Sequence, residues 1–261
     1  MDRDTKKKEL LEKIKEFRLL DDDFMSKVFE DDYQCTELLL HIIMERSDLK
    51  VEETRTQYAI KNLAGRSVRL DIYARDTAGK RYNIEVQRAD KGAGAKRARY
   101  NSSILDVNSL MAGEEWSCLP ETYVIFITEN DVLEGNKAIY HVERTVKETG
   151  KDFPDGAHIL YVNGAYRDES PIGKLMHDFS CKNPDDMYFK ILADKTRYYK
   201  EDAKGVAAMC KIMEELIDNE KKEIALKMLK DKKLKREEIA QYFNLTLEQV
   251  EMLEEEVRQS V

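Results

Sequence analysis

Val68-Arg69-Leu70-Asp71-Ile72-Tyr73, the segment Asp76-Thr77-Ala78-Gly79-Lys80, and Tyr82-Asn83-Ile84-Glu85-Val86-Gln87 decide the reading of this 261-residue chain. Both flanking runs alternate apolar and polar residues, the period of a strand with one buried face. Val68, Leu70 and Ile72 share one face and are matched on the second strand by Tyr82, Ile84 and Val86. The opposite face then carries Asp71, Glu85 and Gln87. The intervening residues are good turn formers. A five-residue loop there sets Asp71 opposite Glu85, with Cβ atoms roughly 4.5–5.5 Å apart. Two facing carboxylates destabilise a sheet unless a cation lies between them. A hairpin salt-bridged through Arg69, Arg81 or Arg88 is the plainer alternative.

Working outward, the order of elements around this hairpin is helix, three-strand meander, helix, strand. Residues 1–20 read as a charged helical arm, and Asp21-Asp22-Asp23 as the acidic start of a short helix. A stronger helix runs from Gln34 to about Arg46, with Glu37 in its first turn. Strands follow near 50–60, 66–75 and 81–88. Gly92-Ala93-Gly94 opens a helix to about Met111, with Arg97, Tyr100, Ile104, Val107 and Met111 on one stripe. Thr122–Thr128 is almost continuously apolar, as in a central strand covered on both faces. Strands near 138–146 and 158–162 follow, the second ending at Asn163-Gly164, a hairpin-type signal. The chain is helical after Pro171.

Charge is unevenly spread. The whole chain carries −8. Residues 54–99 hold 12 Lys and Arg against 4 Asp and Glu, a local +8 that leaves −16 elsewhere. This basic region surrounds the carboxylate pair, as an electrostatic footprint for a phosphate backbone would; a solvated charged surface is the alternative. The 4 cysteines form no CxxC pair and the 4 histidines are scattered. The cysteines therefore read as reduced thiols, and any metal as a hard ion held by oxygen. The N-terminus lacks the apolar segment of a signal peptide and no run is long enough to span a bilayer, so a cytoplasmic location is expected.

Asp71, Glu85 and Glu37 from the neighbouring helix together offer three carboxylates to Mg²⁺, which takes oxygen ligands and commonly retains water. Such an ion acidifies water and stabilises charge on a phosphate. Gln87 is neutral: it can orient a water but supplies no positive charge, which leaves that task to the metal and to Arg97 or Lys96. Glu37 also has an ordinary reading as compensation of a helix dipole, Gln87 one as an exposed strand residue, and Arg97 and Tyr100 one as helix packing.

Arg69-Leu70-Asp71-Ile72-Tyr73, Asn83-Ile84-Glu85-Val86-Gln87 and Arg97-Ala98-Arg99-Tyr100 resemble the PD-(D/E)XK nuclease superfamily. The closer likeness is to its Rpn branch of recombination-promoting nucleases, also described as PD-(D/E)XK nuclease family transposases. The likeness spans roughly residues 20–190. It implies an α/β (α+β) restriction-endonuclease-like core, a mixed central sheet flanked by helices, with a helical C-terminal appendage. It also implies a Mg²⁺- or Mn²⁺-dependent DNA endonuclease linked to recombination or a mobile element. Asp71 and Glu85, with the backbone of Val86, would hold the metal. Gln87 would replace the superfamily lysine, and Glu37 would be the helical acid of the first motif. Arg97, Tyr100, Lys96 and Arg69 would contact substrate. Asn101 departs from the pattern, which has a second aromatic after Tyr100.

The expected organisation is an arm at 1–20, a nuclease-like domain at 21–195 and a helical region at 196–261. Within the last, 236–257 resembles a helix-turn-helix, with Ala240 at the small position, Asn244-Leu245-Thr246 as the turn and Val250 in the second helix. That second helix carries Glu248, Glu251, Glu254, Glu255 and Glu256, the wrong sign for phosphate. Only Lys230, Lys232, Lys233, Lys235 and Arg236 favour DNA. A protein contact, such as a homodimer through these helices, or a stabilising helical pair suits it better. Two other functions stay open: a nuclease-fold module that binds nucleic acid without cutting, and a regulator that binds DNA through its tail.

Overall fold

The computed structural model describes residues 3–62, 65–88, 90–231, 234–243 and 245–259. The chain divides into two compact units, Glu12–Asp202 and Met1–Leu11 with Ala203–Val261. Helices α1 (Arg3–Glu16), α2 (Asp22–Phe29) and α3 (Tyr33–Ile43) precede strands β1 (Val51–Ile60), β2 (Val68–Asp76) and β3 (Arg81–Gln87). Helix α4 (Ala95–Val107) leads to β4 (Thr122–Thr128), β5 (Ile139–Val142), a small hairpin of β6 (Thr145–Val146) and β7 (Lys151–Asp152), and β8 (Ala157–Asn163). Helices α5 (Pro171–Ser180) and α6 (Lys190–Glu201) complete the Glu12–Asp202 unit, to which α1 contributes only its last turn.

Six strands form one mixed sheet in the order β1-β2-β3-β4-β8-β5. The meander β1-β2-β3 is antiparallel, β3, β4 and β8 are parallel, and β5 returns antiparallel on the edge. Parallel neighbours need a crossover, and α4 supplies the one between β3 and β4. Leu70, Tyr73, Val124, Phe126 and Tyr161 form one apolar cluster with Ala98, Ile104 and Leu105 of α4. Ile72, Ile84, Ile125 and Ile127 are also fully buried. Alternate positions of the strands are therefore covered on both sides, and α2 packs against β1 and β2.

This corrects the expectation of a hairpin with one solvated face. Residues 70–74 of β2 and 82–86 of β3 are all buried. Both carboxylates of the opening pair consequently sit inside the protein. The helical stripe after Gly92 is also shorter than expected. Gly94 caps α4, the Asn108 amide donates to the Ile104 carbonyl at 2.7 Å, and Val107 and Met111 lie exposed beyond the packed face. Asn163-Gly164 does not turn a hairpin. The Asn163 side chain accepts the Ala165 N–H at 3.0 Å, and the Gly164 N–H donates to the Thr128 carbonyl at 2.7 Å, so the chain leaves the sheet toward α5. A Cβ on Gly164 would lie 2.3 Å from that carbonyl oxygen, which explains the glycine.

In the other unit, α7 (Ala203–Asp231), α8 (Arg236–Phe243) and α9 (Leu247–Gln259) enclose Ala225, Ile239, Val250 and Leu253. Thr246 and Gln249 make a reciprocal capping box at the start of α9: the Thr246 N–H donates to Gln249 at 2.8 Å, and the Gln249 N–H to the Thr246 hydroxyl at 3.2 Å. Arg236 pairs with Glu254 and with Glu251, so one cation that favoured DNA is used between α8 and α9. Glu248, Glu251 and Glu255 are exposed on α9. Lys232, Lys233 and Asn244, and the side chain of Glu256, lie outside the described residues. No described helix is long and apolar enough to cross a membrane.

Candidate metal and nucleic-acid site

The β2–β3 ladder pairs Ile72 with Ile84 and, continued one step, sets Asp71 across from Glu85. There the side chain takes over from the backbone. The Asp71 carboxylate accepts the Val86 N–H at 2.9 Å. The N–H of Val86 is thereby committed to Asp71, and a cation could use only its carbonyl oxygen. Glu85 is fully buried at the C-terminal end of β3, beside Phe126 of the parallel β4. Ligand sites in open α/β sheets lie at this end of the strands.

Arg97, from the first turn of α4, reaches back over the Phe126 ring at 5.9 Å. One terminal nitrogen donates to Glu85; the other donates to Gln87 and to the Gly92 carbonyl, each at 3.0 Å. A Cβ on Gly92 would lie 2.0 Å from the Gln87 side-chain oxygen, so only glycine admits this contact. The second Glu85 oxygen is buried and has no hydrogen-bond partner among the described residues.

Burial raises the Asp71 carboxyl to about 8, and the charge of Glu85 adds to the rise while the Val86 N–H and Arg97 oppose it. Burial raises Glu85 as well, with Arg97 the main opposing influence. A divalent cation held between them would relieve both penalties. The donors are hard oxygens, one of them an orphan, and they fit Mg²⁺ or Mn²⁺.

Above the pair lies a cleft of about 970 Å³ whose lining includes Asp71, Gln87, Lys96, Arg97, Tyr100 and Arg69. Seven of the eight expected side chains therefore come together here, with Glu85 in the floor beneath Arg97. Glu37 does not join them. Its carboxylate accepts the Val51 N–H at 2.9 Å and an ion pair from Lys50 at 3.4 Å, securing the start of β1. The β1–β2 register sets Gln57 opposite Asp71. Val51 is six residues away along β1, about 20 Å at strand rise.

The acid from a helix that does line the cleft is Asp22, in the first turn of α2. Its carboxylate accepts the Gln57 amide at 2.8 Å, and the same amide donates to Ser26 at 2.7 Å. Gln57 holds a left-handed φ of 51° inside β1, the strained conformation that aims its side chain at α2. The charge of Asp22 contributes to raising both Asp71 and Glu85. Three consecutive acids at 21–23 were the available signal, since a cap and a dipole need fewer. Asp21 makes no side-chain cap; it takes Arg88 at 2.7 Å and the Arg18 N–H at 2.7 Å.

Arg66, Arg88, Arg99 and Asn101 also line the cleft. The Tyr100 hydroxyl donates to the Arg66 carbonyl, so its visible contact is with the protein's own loop. Among the described residues, six cations stand against two cleft-lining carboxylates, the sign needed to receive a polyanion. The basic region is nonetheless split. Lys80 pairs with Glu121, Arg75 with Glu52 and Glu53, and Arg55 with Glu53, away from the cleft.

A family model described as PD-(D/E)XK nuclease family transposase matches residues 27–166, more than half of the chain. No curated protein and no solved structure matches the chain.

Proposed function

The chain belongs to the PD-(D/E)XK nuclease family transposases, and from that premise we propose that it is a divalent-metal-dependent DNA endonuclease acting through Asp71 and Glu85. Its mixed sheet flanked by helices is the fold expected of that family. One observation carries the reading: a fully buried Glu85, one of its oxygens unpartnered among the described residues, faces Asp71 under a cleft to which those residues bring six cations.

Asp71, Glu85 and Asp22 would hold the ion, which supplies Lewis-acid stabilisation of phosphate charge and acidification of water. Glu37 is set aside as a ligand because it is engaged at Val51. Arg97, which balances Glu85 in the metal-free chain, would be free to hold the scissile phosphate when a cation is bound. Gln87, the neutral substitute for a lysine, orients the attacking water through its amide. Lys96, Arg99 and Arg69 neutralise flanking phosphates, and each such contact strengthens the salt dependence of binding. Tyr100 fixes the loop at Arg66. The C-terminal helices, with an acidic α9, are proposed as a protein-contact element.

Supercoiled plasmid tests the proposal. With Mg²⁺ or Mn²⁺ the wild-type chain should yield nicked and linear forms, and chelation should stop it. Asp71→Asn or Glu85→Gln should slow cutting by about a hundredfold or more, beyond the usual cost of losing a supporting group around a metal. Cutting that survives both substitutions would refute the assignment. Binding without cutting under every divalent ion would favour a nuclease-fold binding module.

A further inference from the structure

Away from the cleft, His177, Asp178 and Cys181 bring three different ligand atoms within 4.8 Å of one another at the end of α5. We propose that they form a second metal site, for a thiophilic divalent ion of the Zn²⁺ class. His177 Nδ1 is 3.4 Å from Asp178 Oδ1 and 3.4 Å from Cys181 Sγ. Bond lengths of about 2.0–2.3 Å from Zn²⁺ to N, O and S give tetrahedral edges of about 3.3–3.6 Å. Two edges of a coordination tetrahedron are thus already at length.

The supporting groups are also in place. Asp178 is fully buried, and its two oxygens accept the Tyr188 and Phe189 N–H groups, each at 2.8 Å. These bonds fix its orientation and leave lone pairs for an ion. The His177 ring packs edge-on against Tyr188, with centroids 4.9 Å apart. His177 and Cys181 are only half-buried, so water can complete the shell. On binding, the Cys181 thiol gives its proton to solvent and its sulfur becomes an anionic ligand. None of the three residues lines the cleft. A thiolate and an imidazole select a softer ion than the all-oxygen pair does.

The position gives such an ion a structural task. The Phe179 carbonyl, between these ligands, accepts the Leu20 N–H at 3.2 Å. Leu20 lines the cleft two residues before Asp22. The ion would close the turn from Cys181 to Phe189 and steady the segment that delivers Asp22.

Cobalt reports directly on this geometry. Metal-free full-length chain titrated with Co²⁺ should develop a thiolate-to-cobalt charge-transfer band and the visible bands of four-coordinate cobalt, with the intensity of one such ion per chain whatever the oxygen site also takes up. Zn²⁺ should bleach both. Cys181→Ser should abolish the charge-transfer band, His177→Asn should weaken Co²⁺ binding at least tenfold, and Asp71→Asn should leave the band intact. Alkylation of wild-type Cys181, followed by peptide mass, should slow at least tenfold in Zn²⁺ and needs no variant to fold. Absence of the band in the wild type, its persistence in Cys181→Ser, or unchanged alkylation in Zn²⁺ would overturn the site.

Discussion

Arg97 donates to Glu85 across the floor of the cleft, pairing a cation 41% exposed with a carboxylate that is fully buried. Arg97 is therefore the internal counter-charge of the metal-free protein. Removing one partner of a buried pair usually costs about 3–5 kcal/mol, and solvent around Arg97 screens this to about 2 kcal/mol. Arg97→Met should lose that much stability in denaturant unfolding without metal. Saturating Mg²⁺ should narrow the gap, because the ion then offsets Glu85. A gap insensitive to Mg²⁺ would contradict this role.

The raised Asp71 carboxyl ties stability to pH. Folding lifts it from 3.8 to about 8, so between those values the folded chain keeps a proton that the unfolded chain has lost. Stability must then fall as pH rises through that window. The metal-free melting temperature should drop from pH 5 to 8, and Asp71→Asn should flatten the drop. Divalent ion should displace the proton and reduce the wild-type slope. Parallel profiles for wild type and Asp71→Asn would rule out the buried carboxyl as their source.

Asp22 and Glu37 separate by geometry, and kinetics should separate them equally. Asp22→Asn should raise the Mg²⁺ concentration needed for half-maximal cutting by about tenfold or more. Glu37→Gln should leave that concentration unchanged and cost about 1 kcal/mol, the worth of its bond to Val51. The reverse outcome would return the helical acid to α3.

Gly92→Ala probes the Gln87–Arg97 contact without touching either residue. The added Cβ would lie 2.0 Å from the Gln87 oxygen, and that flexible side chain would move aside. Stability should change by under about 1 kcal/mol, as for other tolerated surface substitutions. The cutting rate should fall about tenfold, a modest share of the loss seen on misplacing a catalytic group. Unaltered cutting would show that this placement of Gln87 has no bearing on the reaction.

The order of elements was legible because local signals agree with the tertiary fold: alternation in β2 and β3, a continuous apolar run in β4, and turn residues at 76–80. The facing of Asp71 and Glu85 followed from loop length and strand period alone. Burial of their face was not legible, because it depends on layers brought from distant segments onto the sheet. The same distance hid Asp22. Its three-acid neighbourhood looks like dipole compensation until the Gln57 side chain of β1 bonds Asp22 and α2 meets the cleft. Glu37 had the local appearance of a motif acid, but its carboxylate is engaged at the start of β1, while α2 is the helix that brings an acid to the cleft. His177 and Cys181 looked scattered among four residues of each kind, although four positions apart they share a helix face.

Mn²⁺ binding by the metal-free chain, followed through the paramagnetic signal of the free ion, reads the Asp71–Glu85 site itself. The site should be present in wild type, Glu37→Gln and Cys181→Ser, and lost when Asp71→Asn and Glu85→Gln are combined. Equal Mn²⁺ uptake by wild type and the double variant would contradict this assignment.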